Sequence, residues 1–332
     1  MENALRTSNG NPSTQVALRP MGLGEILDLA ITLYRRNFLT LAGISAVVSI
    51  PLLILQVIAA LFALPANPFA FADNATSLFS NSTGMLLYFG GFFLISILSA
   101  IAEIYEAGAM AAAVSARYLG RAMNIRQAYG QSLRRWFPLF VSSLFLGLVF
   151  LVCLSPFIAV FALSMAASIM NTTSSTASAV AGLSILCLCA LSIPLLLLWV
   201  YLGTRLTFFT QAIVLENLGA RSGLGRSWRL VKNSFWRVWG TTLLLGIFIY
   251  ILTMVPTFAV QFGVGAILPG SIALTTIANS AINTIVAILI TPIQFAVMTI
   301  LYYDLRIRKE GFDLQLAMQP SDLVQTHDNA AG

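Results

Sequence analysis

The chain has 332 residues, of which 58% are hydrophobic and only 9% are charged, and its mean hydropathy is +0.87. Soluble domains carry roughly 25% charged residues, so this composition excludes a water-soluble globule and predicts an integral membrane protein. The formal charge is +6. Because basic residues collect on the cytoplasmic loops of membrane proteins, this charge does not indicate nucleic-acid binding.

The N-terminal segment, residues 1–20, is polar and has no apolar core, which predicts a disordered cytoplasmic tail rather than a signal peptide. From residue 23 the apolar residues recur at helical spacing, and charged residues such as Asp28, Arg35 and Arg36 take the other face. The expected apolar face consists of Leu23, Ile26, Leu27, Ala30, Ile31 and Tyr34. This pattern predicts an amphipathic helix that lies on the membrane surface.

Six apolar runs follow, each long enough to cross a hydrocarbon layer of about 30 Å as a helix. They cover residues 39–64, 85–102, 137–169, 180–203, 238–267 and 272–303. All eighteen Lys and Arg residues lie outside the three loops that follow the odd-numbered runs. By the positive-inside rule, both termini are therefore cytoplasmic. The predicted membrane domain spans residues 21–316, and residues 317–332 form a second disordered tail.

An offset of about 99 residues aligns the chain with itself. It takes Ile26 to Ile125 and Leu224, and it takes Phe38 to Phe137 and Trp236. Self-similarity at a fixed period is typical of a repeated unit. The sequence therefore predicts an all-α membrane protein of three helical hairpins, over about residues 21–119, 120–218 and 219–316, each preceded by an amphipathic cytoplasmic interfacial helix.

The same offset places the charged residues Glu106, Arg205 and Asp304 in register, with Glu103 one turn from Glu106. Ionisable residues in apolar helices indicate functional sites. Arranged around a pseudo-threefold axis, Arg205 would be shared by the three carboxylates at the cytoplasmic mouth of the bundle. A structural charge cluster, a substrate or ion site and an exposed polar surface all fit this pattern.

Basic residues beside the apolar runs are expected to contact the anionic headgroups of the lipid bilayer, which is the predicted partner. They are Arg35, Arg36, Arg134, Arg135, Arg226, Arg229 and Lys232. A protein partner remains possible, but the sequence does not identify one.

Catalytic motifs are missing from the sequence. The sole histidine, His327, lies in the C-terminal tail, so the membrane domain lacks a histidine base and a zinc-binding histidine pair. It also lacks a nucleophile elbow and a phosphate-binding glycine loop. We therefore predict no enzyme activity, no cofactor and no metal site.

Three segments together resemble a known bacterial family. They are LGEILDLAITLYRRNFLTLAGISAVVSIPLLIL, RSWRLVKNSFWRVWGTTLLLGI and LYYDLRIRKEGFDLQL. They are similar to the glycerophosphoryl diester phosphodiesterase membrane-domain family and its stand-alone relatives of unknown function. The resemblance implies a bacterial inner-membrane protein. In some members a phosphodiesterase domain follows, and this chain has neither the length nor the histidines for it.

These observations predict a non-enzymatic multi-pass protein of the inner membrane with a scaffold, assembly or accessory role. The alternative is a transporter or lipid-handling protein that uses a cavity near Glu103, Glu106, Arg205 and Asp304. An intramembrane hydrolase ranks third, because the base it requires is missing. A polar cavity reaching into the bilayer would favour transport, and a closed apolar core would favour a scaffold.

Overall fold

A computed structural model describes residues 20–63, 82–169, 175–267 and 272–311, and most of both predicted tails lies outside these ranges. Within them the chain forms helices and no strands. The helices are α1 (Leu23–Arg36), α2 (Phe38–Ala63), α3 (Ser82–Tyr118), α4 (Ile125–Leu133), α5 (Trp136–Ile169), α6 (Ser175–Leu206), α7 (Phe209–Leu215), α8 (Ala220–Val231), α9 (Phe235–Ile267) and α10 (Ile272–Glu310).

Six of these helices, α2, α3, α5, α6, α9 and α10, are long and apolar enough to cross a membrane, which confirms the predicted number of spans. Apolar residues occur on every face of each of these helices, because such side chains can face either lipid or the protein interior. Helices α2, α5 and α9 begin within three residues of the predicted starts at 39, 137 and 238. The spans have aromatic residues at these ends, as expected at a membrane interface.

Helix α1 buries only part of the apolar face that its sequence predicts. The buried residues are Ile26, Ala30, Leu33 and Tyr34, and they face α10, whereas Leu27 and Ile31 are 37% and 44% exposed. Burial raises the pKa of the Tyr34 phenol above its ordinary value. Part of the predicted lipid-facing stripe is therefore an internal packing surface.

The segment after Arg205 contains a break between two helices. Helix α6 ends at Leu206, and the separate helix α7 begins at Phe209. The hydroxyl of Ser227 on α8 accepts a hydrogen bond from the Phe208 backbone N–H at 3.1 Å and donates one to the Arg205 carbonyl at 2.9 Å. These bonds satisfy backbone groups that the break leaves without helical partners.

The buried core gathers at one end of the bundle. This charged end comprises α1, α4, α7 with the preceding Phe208, α8, the first two turns of α2 and α5, and residues 106–118 of α3 and 299–310 of α10. The largest fully buried side chains lie here, among them Tyr118, Tyr302, Phe208, Ile26, Met110 and Leu230. Helix α10 is central because it packs against α1, α2, α3, α8 and α9.

Small residues allow α3 to contact several neighbours within the charged end. All residues from Gly108 to Ala113 except Met110 are glycine or alanine, and α3 packs against α2, α4, α5, α7 and α10. A Cβ atom at Gly108 would lie 2.3 Å from the Ser132 hydroxyl and 3.1 Å from Leu139. Only glycine therefore permits this close approach of α3 to α4 and α5.

Candidate functional site

The four predicted cluster residues have different partners in the structure. Glu106 on α3 is 7% exposed and accepts a hydrogen bond from the Ser45 hydroxyl of α2 at 2.6 Å. Beside this pair, the Tyr129 hydroxyl of α4 donates to the Ile44 carbonyl at 2.8 Å. Burial, and then the nearby Glu106, raise the pKa of Tyr129 above its ordinary value. Glu106 thus joins α2 and α3.

Asp304 on α10 is fully buried and accepts hydrogen bonds from three groups. The donors are the Met21 backbone N–H at 2.8 Å, the Arg237 guanidinium at 2.9 Å and the Arg308 guanidinium at 3.0 Å. Arg237 and Arg308 also both donate to the Met21 carbonyl. The charged pairs join the beginning of α1 to α9 and α10, and such charge-assisted bonds are the strong ones.

Arg205 on α6 forms no ion pair with the described residues. Its guanidinium lies 5.2 Å from the Tyr201 ring centroid and 4.9 Å from that of Trp228, while its Nε and Nη1 atoms are buried without a hydrogen-bond partner. The expected sharing of Arg205 by the carboxylates of Glu106 and Asp304 is therefore not formed. Each of these carboxylates is satisfied by donors from its own neighbouring helices.

Glu103, in contrast, is exposed and lines an open groove of about 440 Å³ between α2, α3 and α10. Polar residues dominate the lining, although all three helices are apolar overall. The lining residues are Ser49, Leu52, Gln56, Glu103, Thr276, Asn279, Ser280, Asn283, Thr284 and Ala287. The predicted cavity residues are thus divided, since only Glu103 of the four belongs to this groove.

Helix α9 extends the polar character of the groove. The Thr257 hydroxyl donates to the Asn283 side-chain carbonyl at 3.3 Å, and the Asn279 side-chain amide donates to Gln261 at 3.4 Å. The Asn279 side-chain oxygen is buried and accepts no hydrogen bond from the described residues. Amides in a membrane bundle often bond between helices, and here they do so at the margin of an open groove.

The seven predicted headgroup contacts also separate into two groups. Arg35, Arg36, Arg134, Arg229 and Lys232 are exposed, as such a role requires. Arg135 is half-buried and donates to the Asn217 side chain at 3.2 Å. Arg226 instead points into the protein, where it pairs with Glu216 and Glu310, so it is not available to lipid.

Arg226 is the centre of an ion-pair network that the sequence did not reveal. Its guanidinium donates to Glu216 at 2.8 and 2.9 Å and to both oxygens of Glu310. The hydrogen bonds to Glu310, and then those to Glu216, raise the pKa of Arg226. The Tyr302 hydroxyl donates to Glu216 as well. The network joins α7, α8 and α10, and its members lie 10 to 86 residues apart in sequence.

In the ranges that the structure describes, no three His, Cys, Asp or Glu side chains are close enough to hold a metal ion. The chemical groups of the groove are one carboxylate, several amides and several hydroxyls. These groups can bind a polar ligand through hydrogen bonds and attract a cationic one.

The fold and the distribution of apolar residues define a multi-pass helical membrane protein. The sequence model of one family, described as Domain of unknown function (DUF7847), matches residues 21–305. Because this match covers most of the chain, the protein belongs to that family. No curated protein and no solved structure matches the chain.

Proposed function

We propose that this protein handles a membrane lipid or a similar amphiphile, whose polar headgroup occupies the groove beside Glu103. The single observation that carries the proposal is the polar lining of an open groove on otherwise apolar spans. Unsatisfied polar groups facing hydrocarbon are costly, so such a groove needs water or a polar ligand inside it. An amphiphile satisfies both environments, with its headgroup in the groove and its chains in lipid.

The depth of the groove supports this role. Tyr129 and Ser132 on α4 bond to Ile44 and Tyr105, so α4 lies at the level of Glu106. Because α4 is followed by Arg134 and Arg135, this level belongs to the membrane boundary. The groove then runs along α10 from Ala287 to Thr276, about 17 Å at the rise of a helix. A path of this length crosses a large part of the hydrocarbon layer.

The charge of the lining favours one kind of headgroup. Glu103 is its single ionisable residue, and neither Lys nor Arg is present among the lining residues. A carboxylate in a medium of low polarity repels anions and attracts cations more strongly than it would in water. Headgroups that carry an amine or several hydroxyls therefore fit the groove better than anionic ones.

The architecture supports the proposed repeat and orientation. The order of a short helix followed by two long helices occurs three times, beginning at α1, α4 and α8. The long helices that follow begin at Phe38, Trp136 and Phe235, close to the 99-residue offset. We infer that the charged end faces the cytoplasm of a bacterial inner membrane, as positive-inside charge and the glycerophosphodiesterase membrane-domain resemblance suggest. Internal repeats with a site between them are common among transporters.

The proposal can be tested by reconstituting the purified protein in phosphatidylcholine vesicles with fluorescent lipids labelled on an acyl chain, so that the headgroup itself stays unmodified. Added dithionite bleaches only the lipids that reach the outer leaflet. We expect complete bleaching of an amine-headgroup probe with the wild-type protein and partial bleaching in protein-free vesicles. Bleaching should have a fast phase from probe already in the outer leaflet and a second phase from probe that the protein transfers from the inner leaflet. Glu103→Gln should slow this second phase about tenfold, and Ser280→Trp should abolish it by filling the groove.

Gly147→Trp provides the matched control, because Gly147 lies on α5 outside the groove and nothing lies within 4 Å of an added Cβ. This variant should retain the wild-type rate. Equal rates for protein-free and wild-type vesicles with amine, choline and glycerol headgroups would contradict the proposal. So would an unchanged rate in the Ser280→Trp variant.

A scaffold role is the second candidate, and helix α9 favours it. Only 6% of the most apolar window of this span is buried, against 44% for α10. Large residues such as Val255 and Phe262 are 66% and 76% exposed. A photo-crosslinking amino acid at position 255 should give one protein adduct of defined mass in native membranes if α9 docks against a partner. Lipid adducts alone would reject this role.

A further inference from the structure

We propose a binding site for a phosphate group at the charged end, formed by Arg121, Arg306 and the polar residues between them. A pocket of about 420 Å³ opens here between α3, α4, α7 and α10. It is separate from the groove beside Glu103 and shares no lining residue with it. The inference therefore does not depend on the proposed handling of lipids.

Four polar side chains from different elements meet in this pocket. Ser115 on α3 and Tyr303 on α10 are 5% and 3% exposed, and their hydroxyls are 2.6 Å apart. Gln131 contributes its amide from α4, and Arg121 lies in the connection between α3 and α4. Hydroxyls, an amide and guanidinium groups are the donors that proteins use to bind phosphate oxygens.

The pocket carries excess positive charge. The backbone N–H of Arg121 donates to the Ala116 carbonyl, but its guanidinium, which lines the pocket, forms no hydrogen bond or ion pair with the residues that the structure describes. The guanidinium of the neighbouring Arg117 donates to the Met123 carbonyl, and its buried Nε atom has no partner among the described residues. Arg306 and Arg226 share two carboxylates: Arg306 lies 3.5 Å from Glu216 and 3.4 Å from Glu310, and Arg226 lies 2.8 Å from Glu216 and also pairs with Glu310. Two carboxylates balance these two arginines, so the positive charges of Arg121 and the neighbouring Arg117 remain in excess at the pocket.

The depth of the pocket indicates where its ligand comes from. Ser115 lies nine residues beyond Glu106 on the same helix, or about 14 Å further from the spans. The headgroup layer outside the hydrocarbon is only about 5 to 8 Å thick on each side. A water-soluble phosphate compound reaches this depth directly, whereas a lipid phosphate would have to rise out of its layer.

The test measures the melting temperature of the detergent-purified full chain as phosphate compounds are added. The probes are glycerol 3-phosphate, short-chain phosphatidylglycerol and short-chain phosphatidylcholine, with sodium chloride at matched ionic strength as the salt control. A ligand that binds the native state raises the melting temperature with its concentration. We expect saturable stabilisation by glycerol 3-phosphate, and Arg121→Gln should weaken the apparent affinity at least fivefold.

Arg126→Gln is the matched control, because Arg126 is an exposed arginine nearby that does not line the pocket. Arg121→Lys should retain part of the affinity, since it keeps the charge but loses the planar fork. Stabilisation by phosphatidylglycerol alone, lost in Arg121→Gln, would support the site and assign it to a lipid headgroup. No phosphate-specific stabilisation, or equal stabilisation of Arg121→Gln and wild type, would overturn the proposal.

Discussion

The charged end and the apolar remainder of the spans are stabilised in different ways, and α5 crosses from one to the other. Leu139, near its beginning, is fully buried against Ala112, Ile213 and Val214. Leu148, nine residues later on the same helix, is 58% exposed. Both are leucines in an apolar helix, so sequence alone gives them the same role. In the structure, protein surrounds the first, and the second is left for lipid or another chain.

This difference shows where the fold is specified. In the apolar part, lipid chains are as apolar as the side chains, so no hydrophobic driving force brings the helices together. Contact between helices therefore stabilises this part only a little. In the charged end, large side chains are enclosed and carboxylates are paired with guanidinium groups from distant parts of the chain. We therefore expect substitutions in the charged end to destabilise the protein far more than similar substitutions in the spans.

Loss of the Asp304 carboxylate should have the largest effect. Asp304→Asn would leave the half-buried charge of Arg237 and the exposed charge of Arg308 without their counter-ion. Removing one member of a buried pair costs about 3 to 5 kcal/mol. We expect a loss near the lower limit, about 3 kcal/mol, in the free energy of unfolding measured by SDS titration in mixed micelles. Asp28→Asn, which changes an exposed carboxylate of α1, should leave this free energy within about 0.5 kcal/mol of wild type.

The two leucines of α5 provide the most direct comparison of the regions. Leu139→Ala should cost about 3 kcal/mol, because it leaves a cavity in a packed site. Leu148→Ala should cost less than about 0.5 kcal/mol, since detergent or lipid fills the space. Thermal unfolding of both variants in one detergent checks this. Similar losses from the two substitutions would mean that the spans are as closely packed as the charged end.

Removal of the Arg226 side-chain charge should have an intermediate effect. Arg226→Met leaves Glu216 and Glu310 without their main donor, at a cost of about 2 kcal/mol for lost charged hydrogen bonds. Arg229 lies three residues further along α8 and is exposed, so Arg229→Met is the control. Limited proteolysis should reveal faster cleavage around α8 in the Arg226 variant alone. Equal cleavage of both variants would show that the network does not hold α8 in place.

The smallest effect is expected at a pair of glycines in α8. A Cβ atom at Gly223 would lie 2.4 Å from Ile213 of α7, whereas nothing lies within 4 Å of one at Gly225. Gly223→Ala should therefore destabilise the protein by about 1 kcal/mol through overpacking. Gly225→Ala should be neutral or slightly stabilising, because alanine favours a helix. A melting temperature that falls equally in both variants would exclude close packing of α7 on α8 as the cause.

Features that extend over many consecutive residues, such as the length of the apolar runs, predicted the spans well. Hydrophobic length gave six helices, and the start of α1 at Leu23 and the end of α9 at Ile267 agree with their predicted positions. These features depend on composition over many residues, and neighbouring helices hardly change them. Positive-inside charge gave an orientation that stays a prediction.

The partners of individual charged residues could not be predicted in this way. Arg226 has the helical spacing of a lipid-facing residue, yet its side chain points into the protein and pairs with Glu310, 84 residues away. Arg205 aligns with two carboxylates in the predicted repeat, yet its guanidinium packs against the rings of Tyr201 and Trp228. Such choices depend on the angles at which helices pack and on breaks such as the one at residues 207–208, which has no glycine or proline to indicate it. The polar groove was not assigned as the site for the same reason, although the spacing of Thr276, Asn279, Ser280 and Asn283 on one face of α10 could have indicated it.

The bond between the Met21 N–H and the Asp304 carboxylate has a consequence for the synthesis of the protein. The two residues are 283 positions apart. At about 5 to 20 residues per second, the ribosome needs roughly 15 to 60 s to pass from one to the other. During this interval α1, and once it has been made the 106–118 segment of α3, cannot pack against α10, the helix that covers them. The six long helices can enter the membrane in succession, but the charged end folds completely only after α10 has been made.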